Sequence, residues 1–493
     1  VDDGRLLIPG QTCWRVEPAD RLACIVDAAD YFRHAKAAML RARHRIVLIG
    51  WDFDTRITLE RGTETLPGPN QLGFFLRWLV RVRPELEIYL LRSNVRLLPA
   101  FEGLWGRVTP VALLNWLSSA RMQFAIDGAH PTGSVPHQKI VVVDDGLALC
   151  GGIDFTVDRW DTRAHEDHSQ FRRGLGRNGY GPRHEVAVAV DGAAARALGE
   201  LAGERWQTAT GRSLAPVDAD HDAWPPGLEP NLHGVDVGIA RTLPALAGRT
   251  EVREVEALNL AAIAAARHTI YFENQYFASR TLADALAARL GEPDGPEVVV
   301  VMPRRSESRL EEQAMDSARY RLLQLLWAAD EHDRLGVYWP VTDGGTPIYV
   351  HSKVLVVDDR LLRVGSSNLN NRSMGFDSEC DVAIEADAKT PGHADLRREI
   401  TSLRDDLMAE HLGVPKSEFE RAVRQHGSFL AALEALRGHG RTLCRFDEHT
   451  VAGEASPLAE NDLMDPDHVP RSLTRSVQRF IAGLADRPDR PAR

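Results

Sequence analysis

Short apolar runs recur along the chain, each bounded by charged or turn-forming residues. RIVLIG (45–50), LEIYLLRS (86–93), KIVVV (139–143) and HEVAVAV (184–190) occupy the first half, and similar runs return in the second. Unbroken apolar runs of this length predict strands buried on both faces. Between them lie stretches of helical period such as TLADALAARL (281–290). The alternation predicts an α/β protein with a largely buried sheet. Past residue 392 the pattern turns helical, as in FLAALEALR (429–437). The segment 215–231, rich in Pro and Asp, reads as a linker, and 446–493 as an extended tail.

The runs are written twice. ARHRIVLIGWDF (42–53) matches ARHTIYFENQYF (266–277), and LEIYLLRS matches EVVVVMPR (297–304). VPHQKIVVVDDGLALCGGID (135–154) matches YVHSKVLVVDDRLLRVGSSN (349–368), and HEVAVAV matches SECDVAIE (378–385). Four matches in one order, at separations of 224, 211, 214 and 194 residues, indicate a duplicated unit with altered loops. The expected units are 1–214 and 232–445, the second with a helical extension.

Both copies carry His-x-Lys-x-x-x-x-Asp: His137, Lys139, Asp144 and His351, Lys353, Asp358. Only five lysines occur in the chain, so two at matched positions point to a need for a compact ammonium. Residues i and i+2 of a strand share a face, so each His and Lys point together. Two copies packed about a pseudo-twofold axis would gather two imidazoles and two ammonium groups in one cleft, suited to a phosphodiester. The lysines would neutralise nonbridging oxygens, one imidazole would attack phosphorus and the other would protonate the leaving oxygen. This chemistry calls for no metal and no cofactor. Glu185 and Glu379, also at matched positions, are assigned to hold the imidazole Nδ1–H groups, with the pairing left open. Gly151-Gly152-Ile153-Asp154 and Gly365-Ser366-Ser367-Asn368 follow the motifs at one distance, offering backbone N–H groups and the Asn368 amide to phosphate.

These residues resemble the phospholipase D superfamily, from about Cys13 to about residue 445. GGIDFTVDRWDT (151–162) and IYFENQYF (270–277), with Asn274, are similar to segments of its eukaryotic and plant-type phospholipases. The resemblance implies two tandem α-β-α sandwich repeats with the active site at their interface. It implies a phosphohistidine route from a glycerophospholipid such as phosphatidylcholine to phosphatidic acid, with transfer to alcohols as a companion activity. It makes His137 the nucleophile and His351 the general acid, an order that pseudo-symmetry leaves reversible. A cardiolipin synthase-like phosphatidyltransferase, a nuclease of the same superfamily and a degenerate lipid-binding relative are the alternatives. Calcium and phosphoinositide dependence are not expected.

Composition narrows the setting. A net charge of −11 argues against coating nucleic acid. Five scattered cysteines read as free thiols of a reducing compartment, and no apolar run is long enough to span a bilayer. The expectation is a monomer, cytoplasmic or at a membrane periphery, touching phospholipid transiently. Secretion stays open because the chain does not begin with Met. HEDH (165–168) has metal-like spacing but is read as a loop on the headgroup side. Trp51, Phe53, Tyr276 and Phe277 suit core packing or a lipid face, and Arg304-Arg305 a solvated turn.

Overall fold

The computed structural model describes residues 4–94, 120–174, 179–218, 221–246, 248–307, 312–387, 392–451 and 465–466. Most of the expected tail, 452–464 and 467–493, lies outside these residues.

The first half contributes β1 (Arg15–Val26), β2 (Arg45–Gly50), β3 (Glu87–Ser93), β4 (Met122–Asp127), β5 (Ile140–Val143), β6 (Leu147–Gly151), β7 (Arg183–His184) and β8 (Val186–Asp191). The second contributes β9 (Leu232–Leu243), β10 (Val252–Arg253), β11 (Thr269–Glu273), β12 (Glu297–Val301), β13 (Leu335–Val341), β14 (Tyr349–Val350), β15 (Val354–Val357), β16 (Leu361–Gly365), β17 (Glu379–Glu385) and β18 (Thr442–Arg445). One sheet runs through both halves. From its centre the order is β1-β8-β6-β5-β2-β3-β4 in one direction and β9-β17-β16-β15-β11-β12-β13-β18 in the other. The same order thus occurs twice, back to back, and antiparallel β1–β9 pairing is the seam. Neither seam strand stands out in the sequence. β1 carries Glu17, Pro18, Asp20 and Arg21, and its burial is mixed.

Helices cover both faces, giving an α/β/α sandwich. Alternate residues of β2 and β3 divide between two cores. Ile46, Leu48 and Ile88 meet the helices Ala28–Met39 and Leu72–Val82, whereas Val47, Ile49 and Tyr89 join the opposite core with Gly192–Thr210. In the second half, Ile270, Phe272 and Val298 face the helices Glu254–Ala265, Arg280–Leu290 and Ser317–Ala329. The core under helix Gly192–Thr210 continues beneath helix His393–Leu412, so it spans the seam. The stretch read as a linker packs where it is described: Trp224 and Leu228 are buried, and Asp222 pairs with Arg21.

The two motif aspartates act at the ends of the hairpins. The β5–β6 turn places Asp144 and Asp145 at φ 49° and 51°, a left-handed geometry that Asp tolerates and that matches the strand twist. Asp144 accepts hydrogen bonds from the backbone N–H groups of Arg43, His44 and Arg45 at 2.5–2.8 Å. Asp358 repeats this with Arg267, His268 and Thr269 at 2.8–3.0 Å. Each carboxylate ties the hairpin to the entry of β2 or β11. We expect Asp144→Ala to destabilise the protein by about 3 kcal/mol, since three N–H groups lose a charged acceptor. The denaturant midpoint checks this, and an unchanged midpoint with lost turnover would place Asp144 in the chemistry instead.

Candidate active site

The two motifs meet where each half borrows backbone from the other. His137 N–H donates to the Ser378 carbonyl at 2.8 Å, and His351 N–H to the His184 carbonyl at 2.8 Å. Ser378 and His184 immediately precede Glu379 and Glu185. Each histidine is therefore set opposite the glutamate of the other half, which answers the pairing that the sequence left open. His137 Nδ1 lies 3.1 and 3.0 Å from the two carboxylate oxygens of Glu379. His351 Nδ1 lies 3.0 Å from Glu185 Oε2. In both cases Nε2 is left for a reacting group.

The two pairs are built differently. Glu379 is clamped by Ser366 Oγ at 2.5 Å and Ser373 Oγ at 2.6 Å, each donating to it. Glu185 has no such clamp. Its contact with His351 is close but poorly aligned for a hydrogen bond, and Arg159 Nε stands 3.8 Å from its other oxygen.

Lys139 Nζ donates to the His137 carbonyl at 2.9 Å and lies 3.3 Å from Asp154 Oδ2. Lys353 Nζ donates to the His351 carbonyl at 2.5 Å and to Gln275 Oε1 at 3.2 Å. Asp154 also accepts from Trp51 N–H at 2.8 Å, so it neutralises one lysine and anchors the end of β2. Lys353 has only neutral partners. Burial pushes its ammonium down to about 7, and pushes Glu185 up to about 7 and Glu379 up to about 8. Burial, with both lysines adding to it, holds His137 and His351 well below the ordinary histidine value, so both imidazoles are neutral near pH 7.

The glycines serve close packing, Gly152 across the halves and Gly151 against β8 of its own half. A Cβ on Gly152 would stand 3.2 Å from the His351 carbonyl and 3.2 Å from the Lys353 side chain, and one on Gly151 would stand 2.7 Å from Ala187 Cα. Asn368 Oδ1 is buried without a hydrogen bond. Asn274, expected to meet substrate, spends its amide on backbone instead. Its oxygen accepts from Tyr276 and Leu369 N–H, and its nitrogen donates to the Ser367 carbonyl. Asp144 and Asp358 stay at the hairpin turns described above. Phe53 and Phe277 are core residues, while Trp51 and Tyr276 are half-buried.

Within HEDH the two histidines have different surroundings. His165 is fully buried between Asp161 and Glu410 at 3.1 Å each, and His168 is exposed. His184 adjoins it, 3.1 Å from Glu410 and 2.9 Å from Glu273. This imidazole–carboxylate network supports the strand that delivers Glu185, and Asp27 accepts the Glu185 N–H at 3.0 Å. Sequence reasoning missed it because Asp27, Glu273 and Glu410 have no motif of their own.

Comparison with known proteins places the sequence and fold among relatives. Residues 260–402 match the family model described as "Cardiolipin synthase, PLD-like domain". Phospholipase D alpha 1 of Zea mays is 24% identical over 78% of this chain and 63% of its own length. Phospholipase D alpha 2 of Oryza sativa subsp. japonica is 25% identical, with the same coverage. The chain belongs to the phospholipase D superfamily. Phospholipase D A of Dictyostelium discoideum is 23% identical over 73% of this chain and 32% of its own. The chain thus spans about two thirds or less of these relatives. The phosphatidylserine synthase of Haemophilus influenzae Rd KW20 shares the fold, with a TM-score of 0.51, 14% identity and coverage of 78% of this chain and 86% of its own. Among the described residues no helix is long and apolar enough to cross a membrane.

The electrostatics predict proton uptake on anion binding. At pH 8 Lys353 is mostly neutral and Glu379 only partly protonated. A bound anion favours the protonated form of each, so both gain protons. Calorimetry with sulfate at pH 8, in buffers of different ionisation heat, should show net uptake. Net release would mean that these groups are not held as described.

Proposed function

We propose that this protein is a phospholipase D that cleaves the headgroup phosphodiester of glycerophospholipids through a phosphohistidine. The observation that carries this reading is the pair of crossed His–Glu contacts beside two buried lysines. Glu379 fixes the His137 imidazole through Nδ1, Glu185 stands against Nδ1 of His351, and Nε2 of each is left for chemistry.

His137, held bidentately by Glu379, is the better-oriented nucleophile. Its Nε2 lone pair attacks phosphorus, and the bond from phosphorus to the headgroup oxygen breaks. His351, protonated at Nε2, gives that proton to the departing oxygen, and the alcohol leaves. Water then attacks phosphorus and loses a proton to His351. The phosphorus–His137 bond breaks, releasing phosphatidic acid. A second alcohol in place of water gives a transferred lipid. Lys139 and Lys353 hold the nonbridging oxygens, and the protonated lysine is a charge the anion itself favours. A phosphatidyltransferase reading has one specific support, the family model over 260–402, and differs only in the second acceptor.

Purified protein incubated with phosphatidylcholine vesicles and ethanol should yield phosphatidylethanol beside phosphatidic acid by mass spectrometry. Absence of both products from phosphatidylcholine, phosphatidylserine and phosphatidylglycerol vesicles alike would overturn the lipid reading. Replacing His137 or His351 with Ala should each lower kcat by about 10³-fold or more, because both steps use both groups. Near-normal turnover in either variant would sink the two-histidine mechanism. Because both imidazoles are held below the ordinary value of about 6.5, and one must be neutral while the other is protonated, kcat/KM should peak on the acid side of it. A plateau extending to pH 9 would contradict this.

A further inference from the structure

The duplication makes the two sides of the site comparable position by position, and they differ in charge. At the 214-residue spacing of the motifs, Arg159 corresponds to Ser373. Arg183, two residues before Glu185, corresponds to Asp377, two residues before Glu379. On the His137 side, Ser373 clamps Glu379, and Asp377 is engaged by Arg372 at 2.8 Å. On the His351 side the same places hold two guanidiniums.

Neither guanidinium is fully used. Arg183 is 4% exposed, and its Nη1 has no hydrogen bond. Its guanidinium carbon lies 4.7 Å from the centre of the Tyr349 ring, which stacks on the His351 imidazole at 6.4 Å and 27°. The side chain of Arg159 is 11% exposed, with Nε 3.8 Å from Glu185 and without a hydrogen bond. The other end of Arg183 meets Glu307, whose side chain is 46% exposed. A solvent-accessible carboxylate therefore already occupies one face of this guanidinium. Burying two cations with donors left over is costly unless an anion joins them.

We infer that Arg159 and Arg183 form an anion subsite beside His351 that takes a carboxylate or phosphate carried by the leaving headgroup of the substrate. This rests on the reading above, in which the headgroup departs opposite the nucleophile and next to the general acid. An anion there would also favour the protonated imidazole that the departing oxygen needs. A choline cation would instead face two guanidiniums. The subsite thus deepens the function: the favoured substrates are phospholipids with an acidic group on the headgroup.

The test is kcat/KM of the full chain on detergent mixed micelles at one mole fraction of each lipid. Phosphatidylserine and phosphatidylethanolamine differ by the carboxylate alone, and phosphatidylglycerol matches the net charge of phosphatidylserine without it. Phosphatidylglycerol phosphate supplies the phosphate arm. We expect at least one acidic headgroup to be preferred over both controls by about tenfold, the scale of a charge-assisted contact. Which of the two it is identifies the anion. Arg159→Gln and Arg183→Gln should bring that ratio to about one, Arg183→Lys should keep part of it, and Glu307→Gln should raise it. Equal rates on all four lipids, or a preference that survives both Gln substitutions, would overturn the subsite and leave the lipid reading standing. Turnover of bis(p-nitrophenyl) phosphate with none of the lipids cleaved would overturn both.

Discussion

Each motif histidine in this protein faces a carboxylate from the other half of the chain, and the rest of the architecture follows from that crossing. His137 and Glu379 are 242 residues apart. Neither half could build one complete His–Glu pair alone. The halves must then be held in a fixed relation, which loops would not do. The continuous sheet does it: twelve-residue β1 and β9 pair along the seam, and one apolar core runs beneath both. Backbone bonds from each histidine to the residue before the opposing glutamate set the final alignment.

Duplication supplies the symmetry, and a few side chains break it. Asp154 against Asn368 decides which lysine has a carboxylate partner. Ser373 against Arg159 decides which glutamate is clamped by a hydroxyl and which faces a cation. These differences lie in the segments after the hairpins, while the hairpins themselves are nearly the same. The chain has kept the two His-x-Lys hairpins equivalent and varied what surrounds them, as the two sides of a displacement, with their opposite needs, would require.

What could be read in the sequence depends on how local the cause is. The strands β2, β5, β11 and β15 are buried on both faces, so their apolar runs announce them. The two-residue spacing of His and Lys likewise places both on one face, because extended backbone alternates its side chains whatever surrounds it. β1 and β9 are not visible this way, because they are fixed by pairing on both edges and carry charged residues on partly exposed positions. The glutamate pairing was equally hidden, since it depends on how two distant loops cross. Asn274 sits in a segment suggestive of substrate contact, yet its amide completes three backbone bonds that shape the loop bearing Asn368. Arg159 lies within the conspicuous stretch GGIDFTVDRWDT, but its meaning needs Ser373 beside it for contrast.

The choice of lysine at position 353 has a physical account. Where two lysines, two glutamates and an imidazole are buried together, a cation without a carboxylate partner is best carried by a group that can shed its charge. Lys353 is fully buried with a carbonyl and an amide for partners, and burial brings its proton affinity down to about neutral. It can lose its proton when no anion is present and regain it when one arrives. An arginine at this position would remain charged at every accessible pH, at the full cost of burial. Arg183, by contrast, stays charged with the Glu307 carboxylate at one end of its guanidinium.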